Sequence, residues 1–371
     1  MRNTLICTVG TSLFGNIRNA EESIKKAFET KNWNQLALLL LEQENTARVC
    51  GAEINSITSI CNSKLLTSRI RLIFLVSDTE DGKNTGQVLK LYYNNQRNPL
   101  KFEDVDFRVL KGLRDDDVKA FKQQGLKNLV KEISTEVRNF SPEVIAINAT
   151  GGYKAQISFA GMIGQALEIP VYYLFEKFSE VIELPPQPIA LDLAFWLNNY
   201  LLFAQLEDEQ IIEESKLEGN LDSEYLYSLI DKEPEGNTNL VSLSAMGVLF
   251  NERSRLQFSK QETTVLSLIP RDDTDPSRKI INLRDDHGKD ILQAFSEKVC
   301  HSPYVKKIIN SLPFNPKLTN PIRRTTDNGI VEFVLTWTDA GLGICIETTG
   351  RNKAETNTIA LHLQKQFAEN N

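Results

Sequence analysis

The chain has 371 residues, 41% hydrophobic and 25% charged, with a formal charge of −7 at neutral pH. That length allows two or three domains, each with its own core, and apolar runs as short as Leu36–Leu41 exclude a bilayer-spanning helix, so a cytoplasmic protein is expected. Cys7, Cys50, Cys61, Cys300 and Cys345 stand singly, which argues against a disulfide scaffold or a paired-cysteine metal site and for reduced, buried thiols. Met1-Arg2-Asn3 leads into a strand-like run with no signal-peptide pattern. The charge is uneven: from Arg278 onward 13 basic residues face 10 acidic ones, against 29 and 39 before it. A weakly basic tail on an acidic body suits a polyanion contact at the tail.

In chain order, Thr4–Val9 is apolar and β-branched, the signature of a buried strand, and runs into the small-residue turn Gly10-Thr11-Ser12-Leu13. Helical periodicity follows near Glu21–Thr30, Asn34–Val49 and Ala52–Cys61. Arg71–Val76 reads as a second buried strand ending in Ser77-Asp78-Thr79-Glu80-Asp81-Gly82, with a helix over Thr85–Tyr93. A strand at Phe107–Leu110, a long amphipathic helix over Asp116–Asn139 and a strand at Val144–Ile147 come next. The last of these ends in Asn148-Ala-Thr-Gly-Gly-Tyr-Lys154, ahead of a helix over Ala155–Leu167 and strands at Val171–Phe175 and Val181–Leu184. Strands that are apolar throughout and alternate with helices predict a doubly wound parallel sheet. In that arrangement the turns after the strands share one edge, where ligands bind. Paired glycines permit close backbone approach, a helix N-terminus offers unpaired N–H groups, and Lys154 adds positive charge, so an anion is the expected guest.

Pro185, Pro186 and Pro188 mark a boundary. Beyond it, Ile189–Leu206 reads as an apolar helix, Glu207–Gly236 as acidic and helical, Leu243–Leu256 as another helix, and Ser259–Ser277 as a polar loop. This section suits a helical or winged-helix linker, or a dimer surface. The tail reads as a short strand at Lys279–Leu283, helices at Lys289–His301 and Pro303–Ser311, a connector at Pro313–Pro321, and strands at Ile322–Thr326, Ile330–Thr338 and Leu342–Thr348. Asn328-Gly329 and Asp339–Gly341 are the hairpin turns, and a helix over Ala354–Phe367 closes the chain. The result is a compact α+β module of order β-α-α-β-β-β-α. Three segments are thus expected, 1–185, 186–277 and 278–371.

Three loops in order, Cys7-Thr-Val-Gly-Thr-Ser-Leu13, Ser77-Asp78-Thr79 with Gly82, and Asn148-Ala-Thr-Gly-Gly-Tyr-Lys154, make the first segment similar to the CRISPR-associated Rossmann-fold (CARF) sensor domains. The resemblance implies a homodimer binding a cyclic oligoadenylate, cyclic tetra-adenylate being the expected ring, and no other cofactor. The ligand residues it implies are Gly10, Thr11, Ser12, Leu13, Ser77, Asp78, Asn148, Thr150, Gly151, Gly152 and Lys154. A ring of phosphates and adenines suits N–H-rich turns, hydroxyls and one Lys per subunit around a two-fold axis. Some members of that family cleave their ligand slowly, an activity the residues here leave open.

Such sensors usually carry an effector. A HEPN-type ribonuclease needs an Arg and a His about five to seven residues apart on one helix, and Arg284-Asp-Asp-His287 is too close. A metal-dependent restriction-type nuclease needs an Asp and then Glu-x-Lys; Asp339 and Glu347 are suggestively spaced, but Thr348-Thr349 replaces the x-Lys. The order of elements and the ending Ile344-Cys-Ile-Glu-Thr-Thr-Gly-Arg-Asn-Lys-Ala-Glu-Thr instead resemble the RelE fold of ribosome-dependent mRNA interferases. That resemblance implies metal-independent mRNA cleavage on the ribosome, with Arg323, Arg324, Arg351 and Lys353 at the matching catalytic positions. The strand Ile330–Leu335 lacks a leading Arg and the closing helix lacks a Tyr, which leaves the proton acceptor for the 2′-OH open. Arg323 and Arg324, adjacent on a strand, are expected on opposite faces. Trp337 is read as packing, Asp339 as a turn residue, and His287 and His301 as surface residues. The alternatives are a sensor controlling DNA binding through a winged helix, which the overall acidity opposes, and a degenerate metal nuclease.

Overall fold

The computed structural model describes residues 2–175, 177–187, 191–217, 221, 224–285, 288–315, 320–335 and 341–367. The chain divides into two compact units, Met1–Ala190 with Ser244–Glu252, and Leu191–Leu243 with Arg253–Asn371. No helix among the described residues is long and apolar enough to cross a membrane.

In the first unit the elements are β1 (Thr4–Thr8), α1 (Ser12–Ile17), α2 (Glu22–Glu29), α3 (Trp33–Leu41), α4 (Gly51–Asn62), β2 (Arg71–Ser77), α5 (Glu80–Asn94), β3 (Asp104–Leu110), α6 (Val118–Ala120), α7 (Leu126–Phe140), β4 (Ile145–Asn148), α8 (Lys154–Ala166), β5 (Val171–Tyr173) and β6 (Ile182–Leu184). A π-helical turn over Phe121–Gly125 joins α6 to α7, so the expected long helix is present with one widened turn. The sheet order is β3-β2-β1-β4-β5-β6, parallel except for β6, which runs antiparallel to β5. Every residue of β1 is buried, as a strand covered on both faces requires. Leu5, Cys7, Leu72, Phe74 and Val76 face a core shared with α1–α5, through Leu36, Leu40, Ile54, Ile57, Val88 and Tyr92 among others. Helices α7 and α8 pack together and lie outside that core. Two sequence expectations change here. The segment 12–17 is a short helix and not an open turn, because Leu13, Phe14 and Ile17 all find apolar cover. The helix expected over 34–49 stops at Leu41.

The second unit opens with α9 (Leu193–Asn198) and α10 (Tyr200–Asp208), followed by β7 (Ile212–Glu213), α11 (Glu224–Leu229), β8 (Ile230–Glu235) and β9 (Thr238–Leu243). Strands β7, β9 and β8 form an antiparallel sheet, so the stretch expected to be helical is helical at α11 but ends, from Ile230, as the first arm of a hairpin turning at Gly236, whose φ is +61°. β8 pairs with β9 along its whole length, from Ile230 opposite Leu243 to Glu235 opposite Thr238, and that pairing overrides its helix-favouring glutamates. Helix α12 (Ala245–Ser267), which belongs to the first unit as far as Glu252 and to the second from Arg253, runs well past the expected end into the segment read as a loop.

The rest of the unit comprises α13 (Lys289–Cys300), β10 (Val305–Asn315), β11 (Ile322–Thr325), β12 (Ile330–Leu335), β13 (Gly341–Thr348) and α14 (Lys353–Phe367). The sheet order is β10-β13-β12-β11, antiparallel throughout. Its inner face, with Ile308, Val331, Phe333, Ile344 and Ile346, is buried, as are Leu292 and Phe295 on α13 and Ile359 and Leu363 on α14. The helix expected over Pro303–Ser311 is thus a strand, and the strand expected over Lys279–Leu283 shrinks to one parallel bridge, Ile281 to Ile308. Register shifts on β10 between Val305 and Lys307 and between Ile308 and Asn310 each insert an extra residue. The inward positions therefore fall at Val305, Ile308 and Ser311, a spacing of three that imitates a helix behind Pro303.

Candidate functional site

In the first unit the chain builds β2 and β3 to one side of β1 and then β4, β5 and β6 to the other. The order reverses between β1 and β4, and open α/β sheets bind ligands beyond the carboxyl ends of the strands at such a point. Cys7 pairs with Asn148 across the two strands, so the turns that follow leave the sheet side by side. They touch: a Cβ on Gly10 would lie 2.9 Å from the Gly152 nitrogen. Gly152 has φ +111°, a backbone that side chains resist. The Thr8 hydroxyl donates to the Gly151 carbonyl.

The sequence-predicted residues separate into two groups. Thr11, Ser12 and Lys154 are exposed, and Gly10 and Gly152 are half-buried, so these form the open surface of the two turns. Lys154 is the first residue of the thirteen-residue α8, so its charge lies at the positive end of that helix, whose N-terminus is closed by a capping box between Tyr153 and Gln156. The others hold the site from inside. Leu13 is fully buried in the core. Asn148 is 1% exposed; its Nδ2 donates to Ser56 Oγ at 2.8 Å, and its Oδ1 accepts from the Thr150 hydroxyl at 2.7 Å and the Thr150 N–H at 3.3 Å. Thr150 Oγ1 also accepts the Leu174 N–H at 2.9 Å, which ties the turn to the end of β5. Gly151 is buried.

The turn after β2 is likewise committed. Ser77 is buried with its hydroxyl 2.8 Å from that of Thr79, and Thr79 caps α5 by accepting the Gly82 N–H at 3.0 Å. Asp78 pairs with Lys83 at 2.9 Å and accepts the Gly112 N–H at 3.2 Å, and these two, Lys83 first, hold its carboxyl below the usual range. Two residues that were not among the expected ligand residues complete the site. Burial pushes the Tyr153 phenol up, partly offset by the Ser77 hydroxyl, which links the turn after β4 to the turn after β2. Glu53, on α4, accepts the Gly10 N–H at 2.8 Å while 1% exposed. Its signal was an acid at 53 in register with Ser56, Ile57 and Ile60, on the apolar stripe of its helix.

In the second unit Arg323 and Arg324 share one face, against expectation. Ile322 pairs with Phe333 and Arg324 with Glu332, so one residue is inserted between them, and a bulge turns both arginines to the same side. Arg323 lies 3.3 Å from Glu332, and Arg324 is exposed beside it. The bulge on β10 does the same for Lys306 and Lys307, which reach Glu347 at 3.9 Å and 3.0 Å. Glu347, Cys345 and Glu332 follow one another on that outer face. Burial pushes the Cys345 thiol up, with Glu332 adding to the shift and Arg324 opposing it. Four cations thus stand over two carboxylates. Arg351 is turned onto Glu355, with Nη2 at 2.6 Å and Nε at 3.0 Å, and Nη2 also reaches the Leu268 carbonyl at 3.3 Å. Lys353 donates to the Thr325 carbonyl at 2.6 Å. His301 Nδ1 lies 2.9 Å from the Glu297 carbonyl at the surface, and His362 Nδ1 lies 2.8 Å from Glu262. His287, Trp337 and Asp339 lie outside the described residues.

Residues 48–187 match the family described as CRISPR-associated protein, Cas_APE2256. The match takes in the turns after β2 and β4 and leaves the Gly10 turn outside it. Among solved structures the chain is similar to Can2 from Sulfobacillus thermosulfidooxidans in complex with cyclic tetra-adenylate, at 12% identity and a TM-score of 0.24 over 72% of this chain. It spans 65% of that protein's length. It is also similar to protein VC1899 from Vibrio cholerae, at 11% identity and a TM-score of 0.24, over 94% of this chain and 78% of the other.

Proposed function

We propose that this protein is a CRISPR effector switched on by a cyclic oligoadenylate, with the ring bound at the β1 and β4 turns and RNA cut by the second unit. The observation that carries the reading is the meeting of the Gly10 and Gly152 turns at the strand-order reversal, beside Lys154 at the start of α8. The family match over residues 48–187 supports the CRISPR setting. Phosphates of the ring take the N–H groups of the α8 turn and the Lys154 ammonium, and Thr11 and Ser12 supply hydroxyls to ribose or base. A two-fold homodimer doubles each contact around a symmetric ring.

On the second unit, the outer sheet face carrying Lys306, Lys307, Arg323 and Arg324 is suited to an RNA backbone, since its two carboxylates leave two positive charges over. Bound RNA is cut by attack of a ribose 2′-OH on its neighbouring phosphate, a reaction that asks for alignment and for stabilisation of charge on the phosphate oxygens. Arg351 and Lys353, at the turn into α14, are the further cations of the RelE-like reading, and the ribosome presents the mRNA. A DNA-binding role is less well supported, because β8 of the small hairpin sheet carries Asp231, Glu233 and Glu235 against Lys232.

The test is RNA cleavage by purified protein with cyclic tetra- and hexa-adenylate, with and without translating ribosomes. Lys154→Ala is expected to need about tenfold more ring, about 1.4 kcal/mol of binding, with an unchanged melting temperature because Lys154 is exposed. Intact RNA under every combination sinks the reading. Chelator-sensitive cutting of naked nucleic acid would replace it with a metal nuclease, and a ring-controlled DNA gel shift with a regulator.

A further inference from the structure

Glu53 has no part in the proposed function above, and its environment is unusual for an acid. It lies on the inner stripe of α4, 1% exposed, in register with Ile57 and Ile60. Oε1 accepts the Gly10 N–H at 2.8 Å. The same oxygen fills the space beside Gly151, where any Cβ would overlap it. Oε2 is buried without a hydrogen-bond partner. Burial disfavours the charged carboxyl, and the Gly10 N–H and the Ser12 hydroxyl oppose that effect.

A buried polar atom left unpaired costs stability, on the order of 1–3 kcal/mol, and an apolar residue at this position would continue the helix's stripe without that cost. What the carboxyl provides is geometric. One oxygen touches the turn after β1 through the Gly10 N–H and the turn after β4 through the Gly151 backbone, and those two turns approach each other directly at Gly10 and Gly152. We propose that Glu53 is a positioning residue of the nucleotide site, a buried lock that fixes the Gly10 turn against the Gly151–Gly152 turn so that both face one ligand together. This role rests on the reading of the site as a cyclic-oligoadenylate site. It also accounts for Gly151 on grounds other than ligand approach: the carboxyl occupies the place of a side chain there.

Isothermal titration of the full chain with cyclic tetra-adenylate tests the role, using Glu53→Gln, Glu53→Asp and Glu53→Ala, with a thermal melt of each. Gln keeps an oxygen within reach of the Gly10 N–H and is expected to bind within about threefold of wild type. Asp, one methylene shorter, and Ala release the turn and are expected to bind about tenfold or more weakly. If Ala fails to fold, the contrast between Gln and Asp carries the result. Folded Asp and Ala variants that melt earlier yet bind like wild type overturn the role and leave Glu53 a structural residue. So does a Gln variant as weak as Ala. A wild-type chain that binds neither cyclic tetra- nor cyclic hexa-adenylate overturns the site reading itself, and this role with it.

Discussion

Replacing Asn148 by Ala separates what the sequence suggests from what the fold makes of it. Read as a motif, Asn148 is a ligand contact; in the structure it is 1% exposed and braces the turn. The substitution removes the bond to Ser56 at 2.8 Å, the two bonds from Thr150 at 2.7 Å and 3.3 Å, and a weak one to the Cys7 sulfur at 3.8 Å that adds little to the three. Ser56 keeps the Ala52 carbonyl at 2.7 Å and Thr150 keeps the Leu174 N–H at 2.9 Å, so neither hydroxyl is stranded. Three bonds at roughly 1 kcal/mol net each give a loss of about 3 kcal/mol. With two units in the chain, one global unfolding energy would mix their contributions. The loss is better read from the urea dependence of amide exchange in β1 and β4, alongside titration with cyclic tetra-adenylate. The expected outcome is a drop in opening free energy near that size, with binding by the folded chain reduced less than about tenfold. A change in stability below about 0.5 kcal/mol together with abolished binding would refute the brace and restore Asn148 as a direct contact.

Two further predictions concern charge. Lys307→Ala and Arg324→Ala should each lower the salt dependence of single-stranded RNA binding, by about 0.7 in the slope of log K against log salt, measured by fluorescence anisotropy; slopes equal to wild type would remove the outer sheet face from RNA contact. Glu53 governs a pH effect. Burial raises its pKa above the ordinary 4.5, against the opposing Gly10 N–H and Ser12 hydroxyl, and the titratable group facing it from β1 is the Cys7 thiol, itself raised by burial. An acid with a raised folded pKa contributes stability that is fully present below pH 4.5 and is lost as pH rises through the folded value. Glu53→Gln should therefore gain on wild type in melting temperature from pH 4.5 upward; parallel curves for the two proteins would show that Glu53 does not titrate in this way.

The alternation of buried strands and helices in the first half was legible because the central strands of a parallel sheet are apolar on both faces, a pattern that needs no knowledge of its neighbours. Thr4–Thr8, Arg71–Ser77 and Ile145–Asn148 announce themselves in this way, and so do the glycine-rich turns that follow. Which residues of those turns face outward was not legible. Leu13, Asn148 and Thr150 carry the same motif as Thr11, Ser12 and Lys154, and only the packing of α1 and the end of β5 divides those that hold the turns from those that form their open surface. Glu53 enters the site from a helix some forty residues away from Gly10, a proximity that no local pattern encodes.

In the second half the local pattern itself misleads. Val305, Ile308 and Ser311 repeat every three residues because bulges lengthen β10, and a period of three behind a proline reads as a helix. The same device on β11 brings Arg323 and Arg324 to one face, where alternation alone would part them. A bulge is defined by the partner strand it is paired against, so its effect on side-chain direction exists only once β13 and β12 are in place. Composition and periodicity determined that the chain contains a doubly wound parallel sheet and a weakly basic tail. Strand pairing decided which side chains the tail presents, and burial decided which motif residues remain open to a ligand.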